Sequence, residues 1–164
     1  MKKTAYAVVV AGLLSLGGLT FIQSTEALRY TAYPDPGTGG EPWTICWGHT
    51  GPEVVKGLTV SRKQCEAWLR ADTGKAEAAV QSLVTYPLKQ GQYDALVSFT
   101  FNTGVENLRK STLLRLTNQG EWLKSCDEYP RWVYANRKEM RGLKVRRYEE
   151  RRMCRTPGEY VYVP

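Results

Sequence analysis

Three residues near the N-terminus combine side chains that can cleave a glycosidic bond. Asp35 lies nine positions after Glu26, and Thr44 follows on the next segment. Glycoside hydrolysis needs one carboxylic acid to protonate the leaving oxygen and a second carboxylate on the opposite sugar face. Apolar neighbours at 21–28 favour the protonated form of Glu26, whereas Asp35 in a polar turn stays ionised. Such pairs also occur as solvated surface charge, so the spacing alone leaves both interpretations open.

His49 is the only histidine of the chain, which suggests a general base. A serine or cysteine hydrolase would need this histidine beside an activated nucleophile. The sequence has neither a G-x-S-x-G elbow nor a matching cysteine environment, and it has no phosphate-binding loop. We therefore favour a structural role for His49.

The charge balance limits the class of partner. A formal charge of +7 over 164 residues indicates an anionic partner such as nucleic acid, a membrane surface or a bacterial wall. Nine of the lysines and arginines lie at 137–155, where there are three glutamates. Aromatic residues do not alternate regularly with these charges and no nucleic-acid motif surrounds them, so we expect no nucleic-acid partner.

The four cysteines indicate disulfides rather than a metal centre. They lack the C-x-x-C pairs and the Cys/His clustering that a zinc site needs, so we expect neither a metal nor a cofactor. An even number of cysteines behind an export-like N-terminus predicts two disulfides formed in an oxidising compartment. Three pairings are possible from the sequence.

The N-terminal run at 5–22 predicts a weak membrane anchor. Two lysines precede these 18 uncharged residues, and glycine, serine and threonine dilute their apolar character. The best signal-peptidase site lies after Ala27, where cleavage would remove Glu26. We therefore expect an uncleaved signal-anchor segment at 1–25, followed by a catalytic domain at 26–164.

The elements around these residues predict a small β-lobe and a larger helical lobe. The proline- and glycine-rich stretch at 28–40 favours turns between short strands, and 43–47 predicts a strand. Ser61 and Gln64 form a capping box that begins a long helix at 62–83. Apolar spacing and the intervening glycines and proline predict further helices at 89–103, 111–118, 121–129 and 143–154. The predicted fold class is α+β.

Segments 26–35 and 43–50 resemble the active-site region of the T-even phage lysozyme family. That family places a glutamate at the end of its first helix, an aspartate nine positions on, and a threonine on the next strand before a Gly-His pair. The matching residues here are Glu26, Asp35, Thr44, Gly48 and His49. The resemblance continues through 95–104, 111–114 and 131–132. One departure is the eight residues between Asp35 and Thr44, which indicate an enlarged hairpin.

This resemblance implies a lysozyme-like fold and a muramidase that hydrolyses the β-1,4 bond between N-acetylmuramic acid and N-acetylglucosamine in peptidoglycan. Glu26 would act as general acid, Asp35 would activate a water and Thr44 would help to hold that water, which gives inversion. The alternatives are a chitinase, a lytic transglycosylase, or a wall- or nucleic-acid-binding module without catalysis. The transglycosylase is disfavoured because Asp35 supplies a second carboxylate for activating water.

The resemblance also assigns supporting roles. His49 would pair with Asp72 on the long helix and so join the β-lobe to that helix. The substrate-binding residues would be Phe101, Asn102, Thr112 and Arg131. The disulfides would be Cys46–Cys65 and Cys126–Cys154.

The apolar run resembles the signal-anchor-release segment of lambdoid phage endolysins. A monomeric enzyme would then be held first in the host inner membrane, with its N-terminus in the cytoplasm. After release it would work in the periplasm on peptidoglycan, and host cell lysis would follow.

Overall fold

The computed structural model describes residues 13–35, 39–156, 158–162 and 164. The helices of this part of the chain are α1 Leu16–Thr25, α2 Arg62–Leu83, α3 Gln90–Thr103, α4 Val105–Lys110, α5 Thr112–Asn118, α6 Trp122–Cys126 and α7 Arg141–Arg155. The strands are β1 Arg29–Pro34, β2 Trp43–Cys46, β3 His49–Thr50, β4 Leu88–Lys89, β5 Tyr134–Ala135, β6 Lys138–Glu139 and β7 Tyr160–Tyr162. The predicted α+β class is confirmed.

Strands β1, β2 and β3 form an antiparallel sheet in that order, which is the predicted β-lobe. Thr44 lies opposite Tyr33 on one side and Thr50 on the other. The strand predicted at 43–47 ends one residue early because Cys46 has a left-handed φ of 57°. Of the predicted turn region, residues 36–38 lie outside the described residues.

The long helix predicted at 62–83 coincides with α2. Ser61 begins it as predicted, because its hydroxyl accepts a hydrogen bond from the Gln64 backbone N–H at 3.2 Å. The buried residues of α2 recur at helical spacing and are Cys65, Leu69, Thr73, Ala76, Ala79 and Val80. Helix α2 contacts α3 as well as strands β2 and β3 of the β-lobe.

Helix α3 is the centre of the helical lobe and packs between α2 and α7. Its residues 92–100 are all buried. The helices predicted at 89–103, 111–118 and 143–154 correspond to α3, α5 and α7 within two residues at each end. Because α3 is buried, the positions of its C-terminal residues Phe101 and Asn102 are fixed, and both residues line a cleft beside the β-lobe.

Two helix predictions need correction. The helix expected at 121–129 is divided, because α6 ends at Cys126 and a 3-10 turn follows at Tyr129–Arg131, where Pro130 has no N–H to donate. Helix α4 was not predicted, since Gly104 looked like the end of a helix. Gly104 does end α3, with φ 88°, but it also begins α4.

The disulfides join Cys46 to Cys65 and Cys126 to Cys154, the pairing that the resemblance implies. They close loops with sequence separations of 19 and 28 residues. Each contributes on the order of 3 kcal/mol to the free energy of unfolding by the chain-entropy estimate. The β-lobe is thereby linked to the start of α2, and α6 is linked to α7.

The C-terminal part of the apolar run forms α1, which packs on α3. Two hydrogen bonds from Ser15 reach the buried Asp94 on α3, one from its backbone N–H to Oδ1 (3.0 Å) and one from its hydroxyl to Oδ2 (2.5 Å). The Leu14 N–H donates to Glu77 Oε1 at 2.5 Å. Residues 5–12 of the predicted anchor lie outside the described residues, and within the described ones no helix is long and apolar enough to cross a membrane.

Candidate active site

A cleft with a volume of about 540 Å³ lies between the β-lobe and the helical lobe. The β-lobe, α2 and the end of α3 all contribute to its walls. The lining residues are Glu26, Tyr33, Asp35, Thr44, Gly48, Thr50, Asp72, Lys75, Ala76, Thr100, Phe101, Asn102 and Val105. The two carboxylates and the hydroxyl singled out in the sequence thus share one concave site, as enzyme sites commonly require.

Glu26 follows α1 directly and is held at one oxygen. The Arg146 Nη1 donates to Glu26 Oε1 at 2.5 Å, and the arginine side chain is 4% exposed. Gly48 stands on the other side, where an added Cβ would lie 3.6 Å from Glu26 Oε2. The φ of Gly48 is 80°, so a glycine is favoured at this close approach. One carboxyl oxygen is therefore fixed by an ion pair while the second faces the Gly48 turn.

The guanidinium that holds Glu26 belongs to a buried charge cluster on α7. Arg146 and Arg147 both contact Glu150, at 3.4 Å and 3.0 Å. Glu150 is fully buried and accepts a hydrogen bond from the Ser98 hydroxyl at 2.7 Å. Burial raises the pKa of the Glu150 carboxyl, and the charges of Arg147 and Arg146 oppose that shift. The cluster anchors the cleft wall to the core of the helical lobe.

Asp35 stands immediately after β1, at the mouth of the enlarged hairpin. Its backbone N–H donates to the Gly40 carbonyl at 3.1 Å, and its carbonyl accepts from the Gly39 N–H at 2.7 Å. These bonds close the hairpin on the residue that carries the second carboxylate. The extra length of the hairpin therefore does not remove Asp35 or Thr44 from the cleft.

Thr44 lines the cleft, and its hydroxyl is a buried polar group. The residue is 6% exposed, and its Oγ1 has no hydrogen-bond partner among the described residues. A buried hydroxyl without a partner costs about 1–3 kcal/mol, so such groups usually bind a water or a ligand. Thr44 is thus suited to hold a water molecule in the cleft.

Tyr33 lines the same cleft, and burial raises the pKa of its phenol. The negative charges of Glu26 and Asp35 raise the pKa further, whereas Arg29 lowers it. The guanidinium of Arg29 lies 4.9 Å from the centre of the Tyr33 ring. Tyr33 therefore remains a neutral hydrogen-bond donor at physiological pH.

His49 joins the β-lobe to α2. Its Nδ1 lies 2.6 Å from Asp72 Oδ2, the partner that the resemblance assigns, and its Nε2 lies 2.8 Å from Glu53 Oε1. The imidazole stacks on the Trp68 ring with centroids 4.4 Å apart. Both nitrogens of His49 are thus engaged by carboxylates outside the group formed by Glu26, Asp35 and Thr44.

Comparison with known proteins shows the family of this chain. The sequence model described as phage lysozyme matches residues 23–150. The chain belongs to the phage lysozyme family. Over 160 residues it is 34% identical to the SAR-endolysin of Enterobacteria phage PA-2, and the match covers 94% of both proteins. This family membership makes the protein a glycoside hydrolase.

Solved lysozyme structures share its fold. The muramidase domain of SpmX from Asticaccaulis excentricus superposes with a TM-score of 0.80 at 35% identity, covering 89% of this chain and 99% of that domain. A variant of the P22 phage lysozyme superposes with a TM-score of 0.75 at 34% identity, covering 87% and 98%. The lysozyme-like fold expected from the sequence is therefore confirmed.

The cleft of this phage lysozyme contains some of the substrate-binding residues expected from the resemblance and not others. Phe101 and Asn102 line it at the end of α3. Thr112 is exposed at the start of α5, and Arg131 forms an ion pair with Glu128 at 3.0 Å beside a different surface pocket. Binding of substrate by Thr112 and Arg131 remains a prediction that the cleft geometry does not support.

Sequence reasoning missed two side chains of this lysozyme site. Tyr33 had a detectable signal, because it precedes Asp35 by two positions and alternate residues of a strand share a face. Arg146 had none, since it contacts Glu26 across 120 positions of sequence. Only the fold brings α7 against the end of α1.

Proposed function

We propose that this phage lysozyme is an endolysin that hydrolyses the β-1,4 bond between N-acetylmuramic acid and N-acetylglucosamine, with Glu26 as general acid and Asp35 as general base. One observation carries the proposal. The cleft combines two carboxylates with the unpartnered buried hydroxyl of Thr44. A hydrolase needs an acid, a base and a held water, and each has a candidate here.

We assign the two carboxylates different roles. Arg146 holds Glu26 Oε1, so the proton for the leaving oxygen is carried on Oε2, beside Gly48. Asp35 follows β1 on the hairpin, lines the same cleft and removes a proton from the attacking water. A neutral Tyr33 lies near both carboxylates and donates a hydrogen bond without adding negative charge.

Thr44 holds the attacking water in this scheme, and the reaction inverts the anomeric carbon. Inversion requires room for a water between the base and the sugar, with carboxyl groups roughly 6.5–9.5 Å apart. A buried hydroxyl on the strand beside Tyr33 provides a fixed hydrogen-bond partner for that water. A lytic transglycosylase has no use for a water-activating carboxylate, and no feature of the cleft favours a chitinase or a module without catalysis.

The stereochemistry of the first product tests the mechanism. We expect proton NMR, recorded on soluble glycan strands before mutarotation, to show the α-anomer at the new N-acetylmuramic acid reducing end. Inversion of a β-linked substrate gives this product. The β-anomer would contradict the water-activating role of Asp35, and a 1,6-anhydro product would identify a transglycosylase.

Two substitutions at Thr44 test the water-holding role. We expect Thr44→Val to lower kcat by about 100-fold, as loss of one positioned hydrogen-bonding group typically does, and Thr44→Ser to lose much less. Because Thr44 Oγ1 has no partner among the described residues, valine should leave the melting temperature unchanged or higher. Initial rates and thermal denaturation measure both effects. Equal rate losses in the two variants would remove Thr44 from the mechanism.

Activation involves the N-terminal segment 1–25, which we propose remains uncleaved and anchors the monomeric enzyme in the inner membrane before release to the periplasm. Glu26 directly follows α1, so a segment held in the bilayer keeps the acid away from Asp35 and Thr44. After release, the contacts of Ser15 with Asp94 dock α1 on α3 and place Glu26 in the cleft. Gly, Ser and Thr residues in the run make departure from the bilayer possible.

A further inference from the structure

Arg147 is a fully buried arginine whose contacts lead to the cleft. Its Nη1 lies 3.0 Å from Glu150 Oε2, and its guanidinium carbon stands 5.0 Å from the centre of the Phe99 ring. Its Nη2 donates a 2.5 Å hydrogen bond to Asn102 Oδ1. A buried charge of this kind needs compensation, and Glu150 supplies it from the same helix. The bond to Asn102 is therefore additional to charge neutralisation.

The bond from Arg147 fixes which way the Asn102 amide faces. Arginine only donates hydrogen bonds, so its partner atom must be the amide oxygen and not the amide nitrogen. Rotation of the amide by half a turn would place two donors against each other. With Oδ1 engaged, the exposed polar group of Asn102 is its Nδ2, for which no acceptor is found among the described residues.

The position of Asn102 places that donor beside the catalytic acid. Asn102 is exposed and lines the cleft together with Glu26. It also lines a second cavity of about 1070 Å³, which reaches Glu26 from the side of α1 and α7. A sugar that presents its glycosidic oxygen to Glu26 therefore passes within reach of the Asn102 amide.

We infer that Arg147 is a positioning residue that orients the Asn102 amide, so that Nδ2 donates to the acetamido carbonyl of the sugar next to the cleaved bond. The inference rests on the proposed muramidase function. Both sugars of the glycan carry an acetamido group, whose carbonyl is a strong acceptor. Arg147 thus contributes to recognition of 2-acetamido sugars without touching the substrate.

A cycle that combines one variant with two substrates tests the contact between Asn102 and the acetamido group. Asn102→Asp keeps an oxygen toward Arg147 and replaces the donor by an acceptor, so the fold is retained. On soluble acetylated glycan strands we expect kcat/KM to fall by about 10- to 100-fold, mostly through KM. On chemically de-N-acetylated strands wild type should already show a comparable loss, and the variant should add little to it. Asn107→Asp is the matched control, because Asn107 is exposed on α4 and, among the described residues, its side chain bonds only to the Thr103 carbonyl.

Three results would contradict either the acetamido contact or the muramidase function on which it rests. Equal losses from Asn102→Asp on both substrates, or none on either, would overturn the acetamido contact. An effect of Asn102→Asp that appears only as a shifted alkaline limb of the pH profile would also overturn it, because the effect would then act through the protonation of Glu26, the general acid. A wild-type enzyme that releases no reducing ends from acetylated strands would instead refute the muramidase function, and the inference with it.

The role of Arg147 itself is tested by a conservative change. Arg147→Lys keeps the positive charge beside Glu150 but cannot contact both Glu150 and Asn102 with a planar fork. We expect this variant to raise KM on acetylated strands as much as Asn102→Asp does, and the double variant to be no worse than either single one. Additive losses would show that Arg147 acts independently of Asn102, and a wild-type KM in folded Arg147→Lys would show that Arg147 does not orient the amide; either result would overturn the positioning role.

Discussion

Glu26→Gln lowers turnover by about three orders of magnitude and leaves the fold intact, if Glu26 is the general acid. Glutamine has the same shape, and its carbonyl oxygen still accepts a hydrogen bond from Arg146. The amide has no acidic proton to give to the leaving oxygen. Loss of turbidity of permeabilised bacteria measures activity, and thermal denaturation measures the fold.

Glu106→Gln is a suitable control for this prediction. Glu106 is exposed on α4, where it forms a surface ion pair with Arg109 at 3.2 Å. The same chemical change there should leave turbidity loss within about twofold of wild type, since exposed ion pairs contribute little. Activity of Glu26→Gln near that of Glu106→Gln would refute the proposed acid.

Leucine at both Gly17 and Gly18 silences the enzyme in cells, which is the second large effect we expect. Leucine adds favourable transfer free energy to the apolar run and retains it in the bilayer. Fractionation should place this variant in the membrane, whereas wild type moves intact to the periplasm. Loss of lysis together with membrane retention is the expected result.

The structure adds a second cause for the loss of activity, which is a steric clash of a side chain at position 18 with its neighbours. Two single alanine variants separate this clash from retention in the membrane. A Cβ at Gly18 would lie 2.7 Å from Leu14 Cδ1 and 2.8 Å from Asp94 Cγ, whereas among the described residues a Cβ at Gly17 meets only Ser15 Oγ at 3.5 Å. Gly17→Ala and Gly18→Ala change the membrane affinity equally. We expect equal release of both, but lower activity and lower stability for Gly18→Ala, since an overpacked contact costs about 1–3 kcal/mol.

Two outcomes would contradict the docking of α1. Equal specific activity of the two released alanine variants would show that contact between α1 and Asp94 does not matter. An active soluble form of wild type that begins after residue 22 would show that a peptidase releases the enzyme. N-terminal sequencing of the periplasmic protein decides the second point.

The parts of the fold that the sequence predicts are those with local signals. Helix α2 begins at the Ser61 N-cap and has apolar residues at helical spacing, so its bounds agree with the prediction. The β5–β6 hairpin has no comparable signal, because Asn136 and Arg137 form its turn with φ of 50° and 63°. Arginine is a poor predictor of a left-handed turn, which usually needs glycine or asparagine.

Site residues whose chemistry follows from their residue type could be predicted from the sequence. Residues that act through contacts between distant parts of the sequence could not. Glu26, Asp35 and Thr44 follow one another in sequence, and the β-lobe brings them into one cleft. The bond from Arg147 to Asn102 spans 45 positions and depends on α7 packing against α3. No periodicity in either helix indicates such a bond.

The two disulfides have a mechanical consequence for substrate loading. Cys46–Cys65 joins the β-lobe to the start of α2 and Cys126–Cys154 joins α6 to α7, and none of these cysteines lines the cleft. Neither disulfide joins the β-lobe to the end of α3, so these two walls are held together by noncovalent packing and by the backbone. A long glycan strand that carries side branches cannot thread end-on through a closed tunnel, so it must load from the side. Because no disulfide joins these two walls, their separation is free to change during loading, while the two disulfides protect the elements that they join from unfolding.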